Sequence, residues 1–554
     1  MIHCEISEVQ GDSLSSTFSG QQVTVKGIVT ILLRKGFYLQ TPSKQWNGRE
    51  SDAIFVFDDG TPPIAGSSLE VSGEVVDYQY HELAKPVTQI KLSSSQRIHF
   101  DNPQLEPIEL DPTWLATQGD LLRTKLNALE GMLIKLPAKS IFVAPSNTYG
   151  DYVCVPPGVT AGLTRSKDNG LVVGDANESA WLPGFRQRDY KLCHQVNVGA
   201  ELSSDVVGAL HYRVDSYQLS VQHRFSVLQH PVEPNQTQLK DTPNSLRVMT
   251  LNCFNLDSKV ESADKVLNPR QDIDDDWGEG RFHALAKAIV QQAQEPDIVA
   301  LQEIQDSDGA EQSDRIDAIE TYESLLKALK HFSDTTYSYA EIAPELNQDG
   351  GQPGGNIRNG FLYKVSSVSL VPDSLRRLGV NDACFEDSRK PLMAEFKHKD
   401  STKTVTLFNV HLASKRHQQS LFSPYEPTLD AKEPVRIQQA TVVLDAMAEL
   451  DSDDKAYYVT GDFNDGEHSE TMHVLTSKAA RNLVFDLPPD ERYDYNHRGK
   501  LQVLMHGLVS ESLEVLHSAK YEILHGNELI GVQPGETSER ASDHAYVMAQ
   551  LFLD

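Results

Sequence analysis

The stretch Tyr457-Tyr458-Val459-Thr460-Gly461-Asp462-Phe463-Asn464-Asp465 restricts what this chain can fold into more than any other. Its apolar start reads as a buried strand, and Gly461 ends that strand. An acid, an amide and a further acid follow at once, so polar side chains are presented at a sheet edge. Four more strand-like runs carry groups of the same kind at an end. Leu246 to Leu251 runs into Asn252, Ile298-Val299-Ala300-Leu301 into Glu303, and Val405 to Val410 into His411, while Ser542-Asp543-His544 stands just before the last strand, Ala545 to Leu551.

Helical periodicity separates these strands. Phe282, Leu285, Ala286, Ile289 and Val290 share one helical face, as do Ile437, Ala440, Leu444 and Met447. Strands alternating with amphipathic helices predict one α/β domain over 246–554. The rest of the chain reads differently, and a length of 554 residues is too great for one core. Residues 1–100 alternate with the period of strands, as in Gly36-Phe37-Tyr38-Leu39-Gln40 and Ala53-Ile54-Phe55-Val56-Phe57, which predicts a small all-β barrel. Residues 101–232 are again β-rich and hint at a second barrel, and 233–245 is a Pro-rich polar linker. Phe37, Tyr38 and Phe55 are candidates for a base-stacking platform, the alternative being core or packing against the next domain.

A net charge of -29 repels polyanions at long range, so such a substrate would need a local basic patch or bound cations. No apolar run reaches membrane-spanning length, and Met1-Ile2-His3-Cys4-Glu5 lacks the features of a signal peptide. The expectation is an internal protein, or a mature or trimmed form. Cys154 and Cys193 flank one loop-rich segment and could pair, the alternative being free thiols. The acidic run Asp272, Asp274, Asp275, Asp276 and Glu279 is either a structural Ca²⁺ site or a solvated loop. Asp349-Gly350-Gly351-Gln352-Pro353-Gly354-Gly355 reads as a mobile loop beside the site.

Asn252, Glu303, His411, Asp462, Asn464, Asp543 and His544 would meet at one rim if their strands share a fold. Phosphoester hydrolysis needs a hard cation on phosphate oxygens, a base for water and donors for developing charge, and this set contains each. The successive motifs Leu251-Asn252-Cys253-Phe254-Asn255, Asp297 to Glu303, Asn409-Val410-His411-Leu412, Gly461 to Asp465 and Ser542-Asp543-His544 resemble those of the endonuclease/exonuclease/phosphatase superfamily. The nearest likeness is to large bacterial extracellular nucleases that carry an N-terminal OB-like domain.

That resemblance implies a four-layer sandwich of two packed sheets flanked by helices, preceded by one or two OB-like barrels. It implies DNA as substrate, with RNA as an alternative, and a secreted or periplasmic location. Glu303, Asn252 and Asp543 would hold Mg²⁺, with Mn²⁺ or Ca²⁺ as alternatives. Asp462 would align water, Asn464 would bind phosphate, and His411 and His544 would form the acid-base pair. Arg389, Lys390 and Arg416 would contact the nucleic acid. One departure stands out: Met505 occupies the place of the acid that orients the histidine corresponding to His544. Either Asp543 or another nearby acid takes over that task, or catalysis is weakened and the chain is a nucleic-acid-binding protein; independently of Met505, the same site could serve a phosphoesterase acting on a small ester or phospholipid headgroup.

Overall fold

The computed structural model describes the chain except residues 1, 43–45, 83, 102, 111–118, 159–163, 174–180, 214, 416–429, 479, 515–518, 537–539 and 554. Arg416 lies outside the described residues.

In the first unit the strands Gln22–Leu33, Gly36–Gln40, Ala53–Phe57, Val87–Arg97 and Ser68–Tyr78 pair in that order, and the last pairs back onto the first. Only the Ala53–Phe57 and Val87–Arg97 pairing is parallel within this ring. Val23, Val25, Ile54, Val56, Val71 and Ile90 fill its centre. Phe37 belongs to that core, while Tyr38, buried, packs with Ile31, Phe55 and Ala209 against the second unit. Of the two readings of these rings, core and packing against the next domain is the one the structure has.

A nine-stranded sheet forms the second unit, and its path does not close on itself among the described residues. Its core gathers Leu136, Phe142, Tyr152, Phe185, Leu219 and Phe225. Cys154 and Cys193 are both buried within it as free thiols, the second of the two readings their positions allowed. Burial raises the pKa of each.

The last unit has two sheets face to face. In the first, Ser245–Leu256 lies between Ile298–Ile304 and Tyr546–Phe552; in the second, Tyr457–Asp462 lies between Thr404–His411 and Met505–Val509. Leu246, Val248, Ala300 and Phe361 meet Ala394, Phe396, Leu407 and Tyr458 between them. Helices Arg281–Lys287 and Ile319–Phe332 cover one outer face, and Glu433–Ser452 covers the other. Near the rim the inter-sheet contact becomes polar: Thr250 Oγ1 lies 2.6 Å from Thr460 Oγ1, and Gln302 Nε2 donates to Asn409 Oδ1 at 2.6 Å. Buried polar pairs of this kind fix one relative placement of the sheets, because any slip would leave them unsatisfied. Among the described residues no helix is long and apolar enough to cross a membrane.

Candidate active site

Register brings the strand ends together. His411 stands opposite Asp462 in the parallel pairing of their strands, and Asp462 stands opposite Met505 on its other side. Gly461 has φ 135°, and a Cβ there would sit 2.0 Å from the Val410 carbonyl oxygen, so only glycine lets the strand carry Asp462 this close to its neighbour. In the facing sheet, pairing is irregular between Leu301 and Ile304, where Glu303 adopts φ 57°. This bulge turns the carboxylate out of the pleat toward the rim, a local strain held by the surrounding sheet.

The polar groups interlock. Asn252 Nδ2 donates to Glu303 Oε1 at 3.2 Å and to Asp462 Oδ2 at 3.3 Å, while Asn252 Oδ1 accepts from the Phe254 N–H at 2.9 Å. Asn255 N–H donates to Glu303 Oε2 at 3.1 Å, and Asn464 N–H to Asp462 Oδ1 at 2.8 Å. His411 Nε2 lies 3.7 Å from both Glu303 Oε1 and Asp462 Oδ2, and His544 Nε2 lies 3.7 Å from the same Asp462 oxygen. Asp462 Oδ2 is thus the point on which two imidazoles and one amide converge.

Met505 has a different place from the one its sequence position suggested. Its side chain is buried in the apolar layer between the sheets, and the acid that orients His544 is Asp494. Asp494 Oδ2 lies 2.7 Å from His544 Nδ1, and Oδ1 accepts from the Leu504 and Met505 N–H groups at 2.6 and 3.0 Å. Asp494 stands on the entry of a hairpin, Tyr495–His497 and Lys500–Gln502, that precedes the Met505 strand. The Tyr495 ring stacks on His544 with centroids 4.7 Å apart. An acid between two tyrosines, Tyr493-Asp494-Tyr495, was the available signal, but nothing local ties it to a histidine fifty residues later.

Charge follows the geometry. Burial, with the nearby charges of Asp494 and Glu303, raises Asp462 to about 6 against the opposing pull of His544. Burial disfavours the His544 imidazolium, but Asp543, the hydrogen bond to Asp494 and the charge of Asp462 outweigh it and lift His544 to about 10. Glu303 is raised by burial and by Asp543.

Other expected site residues part ways. Arg389 Nη2 and Asn464 Nδ2 both donate to the Leu412 carbonyl, at 2.9 and 3.1 Å, beside His411. Lys390 does not face the rim: it is buried and paired with Asp349 at 2.7 Å, and it also donates to the Gln348 carbonyl at 2.8 Å. That pair pins the Gly-rich segment read as mobile, which Gln352 ties further to Asp272 at 2.8 Å. Lys415 binds Asp465 at 3.1 Å. Within the acidic run, Asp276 pairs with Arg281, and Asp274 alone joins Asp257 and Glu261, with ligand atoms within 4.8 Å of one another.

The donor set fits a hard divalent cation. Glu303 and Asp543 are the rim carboxylates that reach solvent, at 19 and 22% side-chain exposure, and Glu303 is raised by the charge of Asp543, a repulsion that a cation between them would relieve. As placed, Asn252 turns its nitrogen, not its oxygen, toward these acids.

The sequence profile of the endonuclease/exonuclease/phosphatase family matches residues 249–544, more than half of the chain, and spans every rim residue described above. The chain belongs to this family. Members of the endonuclease/exonuclease/phosphatase family hydrolyse phosphoester bonds and generally depend on a divalent metal. Residues 126–231 match a separate domain of unknown function, DUF8508. Similar solved structures include a humanized TDP2 from D. rerio (15% identity, TM-score 0.36, covering 56% of this chain and 99% of that one). The human Nocturnin catalytic domain with bound sulfate is similar at 16% identity and TM-score 0.36, covering 56% of this chain and 96% of that one. A Bacteroides thetaiotaomicron mannosyl-6-phosphatase has 17% identity and TM-score 0.34, covering 55% and 99% respectively. No curated protein matches by sequence.

Proposed function

We propose that the chain is a metal-dependent phosphodiesterase acting on DNA. The observation that carries the reading is the convergence on Asp462 Oδ2 of His411, His544 and Asn252, opposite Glu303. At neutral pH Asp462, with its pKa near 6, is ionised and accepts a proton from water, held in orientation by the Asn464 N–H. His544 has Nδ1 fixed by Asp494, so Nε2 presents a proton toward the same space and stabilises charge that develops on a phosphate oxygen. His411 Nε2 lies 3.7 Å from both Asp462 and Glu303 and so bridges the two carboxylates. Glu303 and Asp543 would hold the metal, which when bound supplies Lewis-acid neutralisation of the phosphate.

Support for a polyanionic substrate comes from the hairpin, where Arg498 and Lys500 place positive charge beside His497 in an acidic protein. The OB-like reading of the first unit is supported by its closed five-strand ring with one parallel pair. A secreted or periplasmic location belongs to this reading through the resemblance alone, and cell fractionation tests it. The deciding experiment follows plasmid DNA, single-stranded DNA, RNA and a small phosphate monoester, in Mg²⁺, Mn²⁺ or Ca²⁺ and in chelator, with native chain and Asp462→Ala. Chelator-sensitive DNA cleavage that Asp462→Ala abolishes supports the reading. Turnover of the monoester alone would replace it with a small-ester phosphatase.

A further inference from the structure

Both flanks of His544 are tied to the second unit. On one side is the hairpin bearing Asp494 and Tyr495. Its Lys500–Gln502 strand pairs in parallel with Leu171–Val172 of the second unit, Leu171 with Lys500 and Val172 with Leu501, and Val173 N–H donates to the Leu501 carbonyl at 2.9 Å. Asn496 Nδ2 donates to the Val143 carbonyl at 3.0 Å. At the tip, Gly499 (φ 91°) lies so close to Val143, Val153 and Leu182 that a Cβ would meet them at 2.8 to 3.1 Å.

On the other side, the loop Gly526–Gly535 exchanges hydrogen bonds with the same unit. Val198 N–H donates to the Leu529 carbonyl at 2.9 Å, Gly531 N–H to Asn197 Oδ1 at 3.1 Å, and Ser146 Oγ to the Val532 carbonyl at 2.7 Å. That loop also supplies Asn527, whose Nδ2 holds the His544 carbonyl at 2.9 Å. Between the two attachments Val198 packs with Tyr493, Leu501 and Leu529 in one small apolar cluster.

A hairpin of two three-residue strands is not stable by itself. Its inner contacts are those that set the imidazole: the Asp494 hydrogen bond, the Tyr495 stack, and the Ala545 N–H donated to the Asp494 carbonyl at 2.7 Å. Its outer edge is completed by the second unit.

We propose that the second unit is a positioning element of the active site, whose contacts with the hairpin and the 526–535 loop hold Asp494 and Tyr495 against His544. The proposal rests on the phosphodiesterase reading for its kinetic consequence but not for its structural one. Asn496 and Asn197 are positioning residues under this assignment, since neither lies among the groups placed at the rim.

The test uses the full chain with Asn496→Ala, Asn197→Ala and, as reference, Asp494→Asn. Three quantities are measured: kcat and KM on a phosphodiester substrate, the thermal midpoint, and the downfield imidazole N–H proton resonance of the hydrogen bond between His544 and Asp494, assigned by its loss in Asp494→Asn. The expected result for Asn496→Ala is about a tenfold fall in kcat with KM within about twofold, at a temperature where the chain stays folded. The resonance should broaden or move upfield, and Asn496→Gln should restore part of both. An unchanged kcat and resonance in both asparagine variants would overturn the proposal, as would a kcat loss that follows the folded fraction alone. Should the native chain cleave no phosphoester, the functional reading fails while the resonance still decides whether the second unit positions His544.

Discussion

The strand-end rim and the hairpin between Asp494 and Met505 bring carboxylates to one site by different means. Asp462 and Glu303 are delivered by strands buried on both faces, and their placement follows from pairing register, a glycine and a bulge. Asp494 is delivered by an excursion whose inner edge touches His544 and whose outer edge belongs to another unit. A catalytic group on the first kind of support depends on its own sheet; one on the second kind depends on docking between units. The two histidines inherit this difference. His411 is wedged between two rim acids at 3.7 Å, whereas His544 is held by a 2.7 Å hydrogen bond from the hairpin.

The comparison can be broken most directly at Asp494. Asp494→Asn keeps the shape but removes the charge that orients the His544 imidazolium and favours its protonated form, and kcat should fall by roughly 10³-fold or more while folding is retained, as steady-state kinetics and circular dichroism will show. An effect under tenfold would put the two histidines on an equal footing. Next comes Lys390→Ala, which removes the cation paired with the buried Asp349 carboxylate and should cost about 3–5 kcal/mol in denaturant unfolding, with KM for a phosphoester substrate little changed in the folded fraction. A large KM effect instead would return Lys390 to the substrate.

Met505→Asp sharpens the contrast from the opposite direction. If the hairpin already supplies the orienting acid, a second carboxylate at this fully buried position gains no partner and should destabilise the chain by more than about 2 kcal/mol, with no rise in kcat. The smallest effect on catalysis lies far from both regions, at the contact of the first two units. There His211 Nδ1 is 2.7 Å from Tyr38 Oη, and burial, then Arg188 and Arg213, hold its pKa down to about 3. The fold therefore keeps the neutral form. Its contribution is complete above the unfolded value of about 6.5 and is lost as pH falls toward 3, with a slope of at most about 1.4 kcal/mol per pH unit. His211→Asn should flatten the acid limb of the stability curve by that amount and leave the kinetics untouched.

What could be read in advance follows the same division. Asn252, Glu303, His411, Asp462 and His544 each sit at the end of an apolar run, so local pattern and turn chemistry announce them. Their polar bridges, and the bulge that turns Glu303, needed the facing sheet. Lys390 looked like a substrate contact because a basic pair in a loop does not show its partner, and Asp349 lies some forty residues earlier. Phe37 and Tyr38 admitted both a platform and a packing reading because alternation marks a strand's two faces without saying what covers them, and packing is what the structure has. Met505 left the orienting acid open for a related reason: orientation of His544 is a requirement on space, and an acid on the adjacent antiparallel hairpin meets it as well as one on the strand itself.

The pairing of Leu171–Val172 with Lys500–Leu501 also bears on synthesis. On the ribosome the second unit emerges long before its partner strand, so this edge stays open while the phosphoesterase sheets are still being made. At two residues it is too short to recruit a stranger's strand, which is how a nascent chain guards an edge it cannot yet cover. Closure must wait for the segment around Asp494, so one late-made stretch completes both the edge of the second unit and the surroundings of His544.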